Sequence, residues 1–126
     1  MAVEKLQIYK CEICGNIVEV VHVGKPALVC CGQAMGLCTE NSTDASQEKH
    51  VPILEKTTNG VLIKIGSAPH PMEDAHYIEW IQVNTGNKSY RQFLNPGDAP
   101  QARFEIISEN IIEVRTYCNL HGLWRS

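Results

Sequence analysis

Six cysteines and five histidines hold most of the chemistry available to this chain of 126 residues. Cys11 and Cys14 stand two residues apart and are followed by Gly15 and Asn16, which turn the chain; Cys30 and Cys31 are adjacent and followed by Gly32. Four thiolates arriving as two pairs match a tetrahedral sulfur site. That geometry suits zinc or a single iron, and spacing does not choose between them. The choice matters, because iron changes oxidation state and zinc does not: one would carry electrons, the other would only hold the fold. The first pair is an ordinary chelating knuckle. The second is not, since neighbouring residues point their side chains apart, so binding through both demands an unusual local backbone and a distorted site. Cys38 reads as a small buried hydrophobe, and His22 as a surface or edge residue of a strand.

His50, His70, His76, Cys118 and His121 form a second set. His70 lies between Pro69 and Pro71, which stiffen its loop; His76 is expected to open a strand; Cys118 and His121 are in chelating register. A lone histidine is more often structural or exposed than a ligand. Four of them in loops or at strand ends, with a cysteine beside one, are harder to set aside, because such positions gather at one end of a β-sandwich. Zinc fits five ligands poorly, being four-coordinate in structural sites and three-plus-water in catalytic ones. Five ligands fit iron with a sixth position open: imidazoles suit the ferrous ion and a thiolate donates electron density. That is a redox site for a small ligand, too crowded for a large substrate.

Both sets need elements to position them. Over the first 40 residues the sequence predicts short strands at Leu6–Tyr9, Ile17–His22 and Ala27–Val29, with Gly24-Lys-Pro26 as a turn. A fragment this small has little core, and a metal cross-link would stabilise it. Asn41-Ser-Thr-Asp44 offers several N-caps for a helical turn over residues 45–49, which Pro52 stops. The domain boundary is placed here, giving domains 1–40 and 41–126. Beyond it strands are expected at Pro52–Lys56, Val61–Ile65, His76–Val83, Ser89–Phe93, Arg103–Ile107 and Ile111–Tyr117, separated by turn signals such as Thr58-Asn-Gly60 and Asn95-Pro-Gly-Asp98. Short strands so punctuated indicate an all-β sandwich or barrel. In the last strand Ile112, Val114 and Thr116 should share the inward face with Cys118, while Glu113 and Arg115 take the other.

Composition removes several function classes. A net charge of −3 without a Lys/Arg-rich run argues against non-specific nucleic-acid binding. No apolar run approaches the roughly 18 residues of a membrane span, and Met1–Lys10 alternates polar and apolar residues rather than forming a signal peptide. The expected protein is soluble and cytoplasmic, and in a reducing compartment clustered thiols are metal ligands before they are disulfides.

The segments Tyr9-Lys-Cys-Glu-Ile-Cys-Gly-Asn16, Cys30-Cys-Gly32, Glu48-Lys-His-Val-Pro52, His70-Pro-Met-Glu73 with His76-Tyr-Ile-Glu-Trp80, and Cys118-Asn-Leu-His-Gly122 together resemble the desulfoferrodoxin family, the two-iron class of superoxide reductases. They run in the family's order over nearly the whole chain. The resemblance implies a desulforedoxin-like domain holding an Fe(Cys)4 centre on Cys11, Cys14, Cys30 and Cys31. It implies an immunoglobulin-like β-sandwich holding an Fe(His)4(Cys) centre, with His50, His70, His76 and His121 equatorial and Cys118 axial. It implies a homodimer that reduces superoxide to hydrogen peroxide without releasing dioxygen, fed by a rubredoxin-like or other reductase, in oxidative-stress detoxification. It assigns nothing to Cys38 or His22.

Glu48 and Lys49 directly precede a member of the second set. Taken alone they would be a solvated charge pair. The matched Glu-Lys-His motif makes Lys49 the candidate cation that raises the local concentration of anionic superoxide and orders a proton-donating water. It makes Glu48 the carboxylate that occupies the sixth position of oxidised iron. Two other classes stay open: an electron-transfer protein using only the sulfur site, and a zinc-ribbon interaction module, against which the five-residue set counts.

Overall fold

The structure, a computed structural model, describes residues 2–41 and 50–126. The helical turn expected over 45–49 lies outside the described residues, as do Glu48 and Lys49. The chain divides into two compact units, Met1–Thr39 and Glu40–Ser126. Among the described residues the regular structure is all β, apart from a single 3-10 turn at Ser108–Asn110.

The first unit contains β1 (Ile8–Lys10), β2 (Ile17–Glu19), β3 (Val29–Cys30), β4 (Gln33–Ala34) and β5 (Gly36–Leu37). Strand β1 is central between β2 and β5, all antiparallel, while β3 and β4 form a separate hairpin. These strands are shorter than expected. Val21 and Val23 are β-formers by type, yet both are exposed and outside any strand, the backbone pairing with the β1 side of the sheet ending at Val20, which bonds to Leu6 and Gln7. The buried apolar set of this unit is small: Ile8, Tyr9, Cys11 and Val20.

The second unit contains β6 (Pro52–Thr57), β7 (Gly60–Ile65), β8 (Ile78–Thr85), β9 (Ser89–Phe93), β10 (Gln101–Phe104), β11 (Ile111–Cys118) and β12 (Gly122–Arg125). One antiparallel sheet has the order β10-β7-β6 and the other β12-β11-β8-β9. Inward residues of both form one core, with Val61, Ile63 and Ile65 from β7 against Ile81, Val83 and Val114 from β8 and β11. This is a seven-stranded sandwich of the three-plus-four kind. Thr58 and Asn59 make the two-residue loop between β6 and β7, and Gly60 is required there because a Cβ would run into the Phe104 carbonyl.

Several expectations need correction. Strand β12 was not foreseen: it is four residues long and follows Cys118 after only three residues, so no turn signal of ordinary length announces it. Strand β10 starts two residues earlier and ends three earlier than expected, leaving Ile106 in the core and Ile107 exposed. Ile112 is 70% exposed rather than inward. Ile111 pairs with Thr85 and Glu113 with Asn84, so Ile112 is the extra residue of a β-bulge and Ile111 packs on the core in its place. Val114, Thr116 and Cys118 do face inward, at 2%, 0% and 0% exposure. Arg115 takes the opposite face but is buried too, donating to Gln82 Oε1 from Nε at 2.9 Å and from Nη2 at 2.7 Å, and pairing with Glu40 at 3.1 Å. A buried guanidinium needs such partners.

Candidate metal centres

The first group is built by two turns. After β1, the knuckle is closed by Cys11 N–H to the Asn16 carbonyl and Gly15 N–H to the Cys11 carbonyl, both 2.9 Å. The second turn answers the problem posed by adjacent cysteines. Cys30 pairs with Gln33, so Cys31 and Gly32 are a two-residue hairpin loop, and their φ values of +52° and +78° are those of a type I′ turn. The left-handed backbone at Cys31 swings its side chain round beside that of Cys30, with the two sulfurs 3.9 Å apart. Cys14 Sγ lies 3.5 Å from Cys30 Sγ, and all four sulfurs are within 4.8 Å of one another. A tetrahedron of about 2.3 Å metal–sulfur bonds has edges of about 3.8 Å, so the four thiols already have the size of one ion's coordination shell. Backbone N–H of Cys14 helps pull the Cys11 thiol down to about 6, whereas the neighbouring thiols push Cys30 up to about 12 and Cys31 upward as well. Four thiolates this close repel one another, and a cation among them removes the conflict.

Strand directions assemble the second group. It draws on the start of β6, the loop leaving β7, the turn entering β8, and the β11–β12 connection. Antiparallel pairing of β6 with β7 and of β8 with β11 brings these to one end of the sandwich. His76 does not open β8 as expected. It closes a tight turn with Glu73, with reciprocal backbone bonds of 2.9 and 3.0 Å, two residues before the strand. Between them, Tyr77 N–H donates to Asn119 Oδ1 at 2.9 Å, and Asn119 Nδ2 donates to the Ala75 carbonyl at 3.1 Å, so one amide holds both neighbours of His76.

The four imidazoles form a closed ring. Centroid separations are 4.8 Å for His50–His70, 4.7 Å for His70–His76, 5.0 Å for His76–His121 and 4.7 Å for His121–His50, with interplanar angles from 69° to 78°. Cys118 Sγ is 3.7 Å from His121 Nδ1, and the five donor atoms lie within 4.8 Å of one another. Opposite ligands on about 2.1 Å bonds stand about 4.2 Å apart, so this too is the span of one ion. Which nitrogen faces the centre follows from the other's partner. His70 Nδ1 meets the Pro71 carbonyl at 2.7 Å, leaving Nε2 as the free donor, and that atom is buried with no hydrogen-bond partner among the described residues. His121 presents Nδ1, which lies 3.0 Å from His50 Nε2. Burial holds the His70 imidazole down at about 4, so the ring is neutral at ordinary pH, the form that can donate to a metal. Burial raises the Cys118 thiol, against the backbone N–H groups of Leu120 and His121 that favour the thiolate. An orphaned buried imidazole nitrogen beside a buried thiol fits a resident cation.

The five residues singled out in the sequence thus stand together, as do the four cysteines. Cys38 is half-buried and His22 exposed, both outside these groups. Sequence reading missed Asn119 and Trp124 as supports. A polar residue inside the Cys118–His121 spacing was the available signal for the first; nothing marked the second.

Two family models match the chain: "Desulfoferrodoxin, N-terminal domain" over residues 3–38 and "Desulfoferrodoxin" over residues 42–126. A desulfoferrodoxin of Syntrophotalea carbinolica is 57% identical over 123 residues, covering 98% of this chain and 97% of its own. A superoxide reductase of Thermococcus kodakarensis is 30% identical, covering 70% of this chain and 92% of its own. Among solved structures, the superoxide reductase from Treponema pallidum superposes with a TM-score of 0.79 at 26% identity, covering 97% of this chain and 98% of that one. The two groups of donor atoms fit the two iron sites of such proteins.

Proposed function

The chain belongs to the desulfoferrodoxin family, whose function is superoxide reduction, and from that premise we propose that it reduces superoxide at the ring of His50, His70, His76 and His121 over Cys118. It is an oxidoreductase acting on superoxide. One superoxide takes one electron and two protons and becomes one hydrogen peroxide. The observation that carries the reading is the closed ring of four imidazoles with the buried Cys118 thiol beside it, five donor atoms within 4.8 Å of one another.

Iron bound there would supply the electron and a sixth coordination position. The chain's own residues do the rest. The rings meet edge to face, which holds the donor nitrogens close together. Cys118, wholly buried, keeps its sulfur out of water, and two backbone N–H groups temper its charge. Glu48 and Lys49 immediately precede His50 in the sequence. We assign Lys49 to attract the anion and to order a proton-donating water, and Glu48 as the carboxylate that would be available to iron held there in its oxidised form.

The first unit, corresponding to domain 1–40, would hold its own iron on Cys11, Cys14, Cys30 and Cys31 and relay electrons; domain 41–126 would hold the reacting site. A rubredoxin-like protein or another reductase is the proposed donor and a homodimer the proposed assembly. The cytoplasm is the proposed compartment, supported by six cysteines that all stand as thiols. No helix among the described residues is long and apolar enough to cross a membrane.

The test is the yield of peroxide. With an excess of an electron donor, iron-loaded protein should give one hydrogen peroxide per superoxide consumed and no dioxygen. One peroxide per two superoxides, with dioxygen released, is dismutation and refutes the reading. Failure to react at all would leave the four-cysteine site as a simple electron carrier.

A further inference from the structure

Trp124 lies on β12 opposite Thr116 of β11, on the face that Thr116 shares with Cys118. Gly122, opposite Cys118 itself, has no side chain, so Trp124 is the first side chain β12 offers on that face. Its indole makes two separate contacts with the second group. The ring stacks on His50 with centroids 4.6 Å apart and planes 15° from parallel, whereas the four imidazoles meet one another at 69° to 78°. The indole N–H donates to the His121 carbonyl at 3.1 Å. The backbone at Trp124 is itself fixed by a parallel bridge to Asn41, whose N–H donates to the Leu123 carbonyl at 2.9 Å.

His50 and His121 come from opposite ends of the sandwich sequence, and their facing nitrogens are 3.0 Å apart. An imidazole turns about its Cβ–Cγ bond unless something holds its plane. Around metal sites that holding is ordinarily done by a partner outside the ligand set, and its loss weakens the site. His70 is held by the Pro71 carbonyl. A flat, nearly buried indole lying parallel on His50 fixes the plane of that ring, and the same indole pins the carbonyl of the His121 turn.

We propose that Trp124 is a positioning residue of the second centre: its ring sets the plane of His50 and its N–H anchors the turn that presents His121, so two imidazoles remote in sequence are set before iron arrives. This rests on the reading of that group as an iron site. It makes Trp124 matter to how tightly and at what potential the iron is held, although its side chain supplies no donor atom to it.

The experiment uses the full-length iron-loaded protein, as wild type, Trp124→Phe and Trp124→Leu. Iron affinity of the second centre is read by chelator competition, and its midpoint potential and absorption spectrum by redox titration. Trp124→Leu, losing both stack and N–H, should weaken second-site affinity by about 10–100-fold and shift the potential and spectrum, with the four-cysteine centre unchanged. Trp124→Phe, keeping a stacking ring but no donor, should recover part of the loss. If Trp124→Leu does not fold, Trp124→Phe alone decides, since loss of the N–H must still lower the affinity. Wild-type affinity, potential and spectrum in every folded variant would overturn the role. A wild-type protein that binds iron only at the four cysteines would sink the iron-site reading and this role with it.

Discussion

A thiol as deeply buried as Cys118 ionises only if something replaces water around the sulfur. Two backbone N–H groups do part of this and a cation beside the sulfur would complete it, which is why thiol, imidazoles and metal are expected to act as one unit. The substrate is an anion, so a cation near the site would raise the encounter rate. Lys49→Ala should lower the second-order rate with superoxide by about tenfold at low salt and flatten its dependence on ionic strength; pulse radiolysis at several salt concentrations measures both, and an unchanged rate and slope would exclude steering. Glu48→Ala should leave that rate near wild type while altering the absorption spectrum of the oxidised protein. An identical oxidised spectrum would rule out Glu48 as a ligand.

At the scale of elements, irregularities in the strands serve the site. Tyr117 pairs with Trp80 but Cys118 with Ile78, so Glu79 is skipped and the core position opposite Cys118 goes to an isoleucine rather than a carboxylate. The N–H of Ile78 points to Met72 Sδ at 3.4 Å, tying the start of β8 to the loop that follows His70. Gly122, at φ +86°, closes the three-residue β11–β12 loop that carries His121. Asn119 fastens that loop to the turn bearing His76. Asn119→Ala removes both bonds, so second-site iron should bind about 10–100-fold more weakly, as read by chelator competition, while the four-cysteine absorption stays constant. Equal affinities in variant and wild type would show that the clamp is dispensable.

At the scale of the molecule, the two units depend on metal to different degrees. The second has a continuous apolar core drawn from both sheets; among the described residues the first has only Ile8, Tyr9, Cys11 and Val20 as buried apolar residues, and strands of two or three residues. A unit of this size seldom holds together on its core alone. Stripping iron should therefore abolish amide-exchange protection in β1 to β5 and leave β7, β8 and β11 protected. Cys30→Ser should do the same to the first unit alone and keep reaction with superoxide at the second. Protection of β1 to β5 that survived chelation would mean the fold of that unit precedes its metal.

Much of this was legible in the residues. Paired cysteines with turn-forming neighbours, and histidines with a cysteine at loop and strand-end positions, disclose donor chemistry through residue type and local spacing alone. Alternation of apolar residues marked most strands of the sandwich because a half-buried strand must alternate. The prediction failed where geometry is not periodic: Ile112 turned outward by a bulge, the short strand β12, and the entry of His76 through a tight turn. The sequence by itself determined which atoms can bind metal and that strands would carry them. Only the tertiary structure decided that five side chains spread from residue 50 to residue 121 close into one shell, which nitrogen of His70 and His121 faces inward, and that Trp124 and Asn119 hold them there. Those are relations between strands and turns distant along the chain, set by how two sheets pack, and no local pattern of residues encodes them.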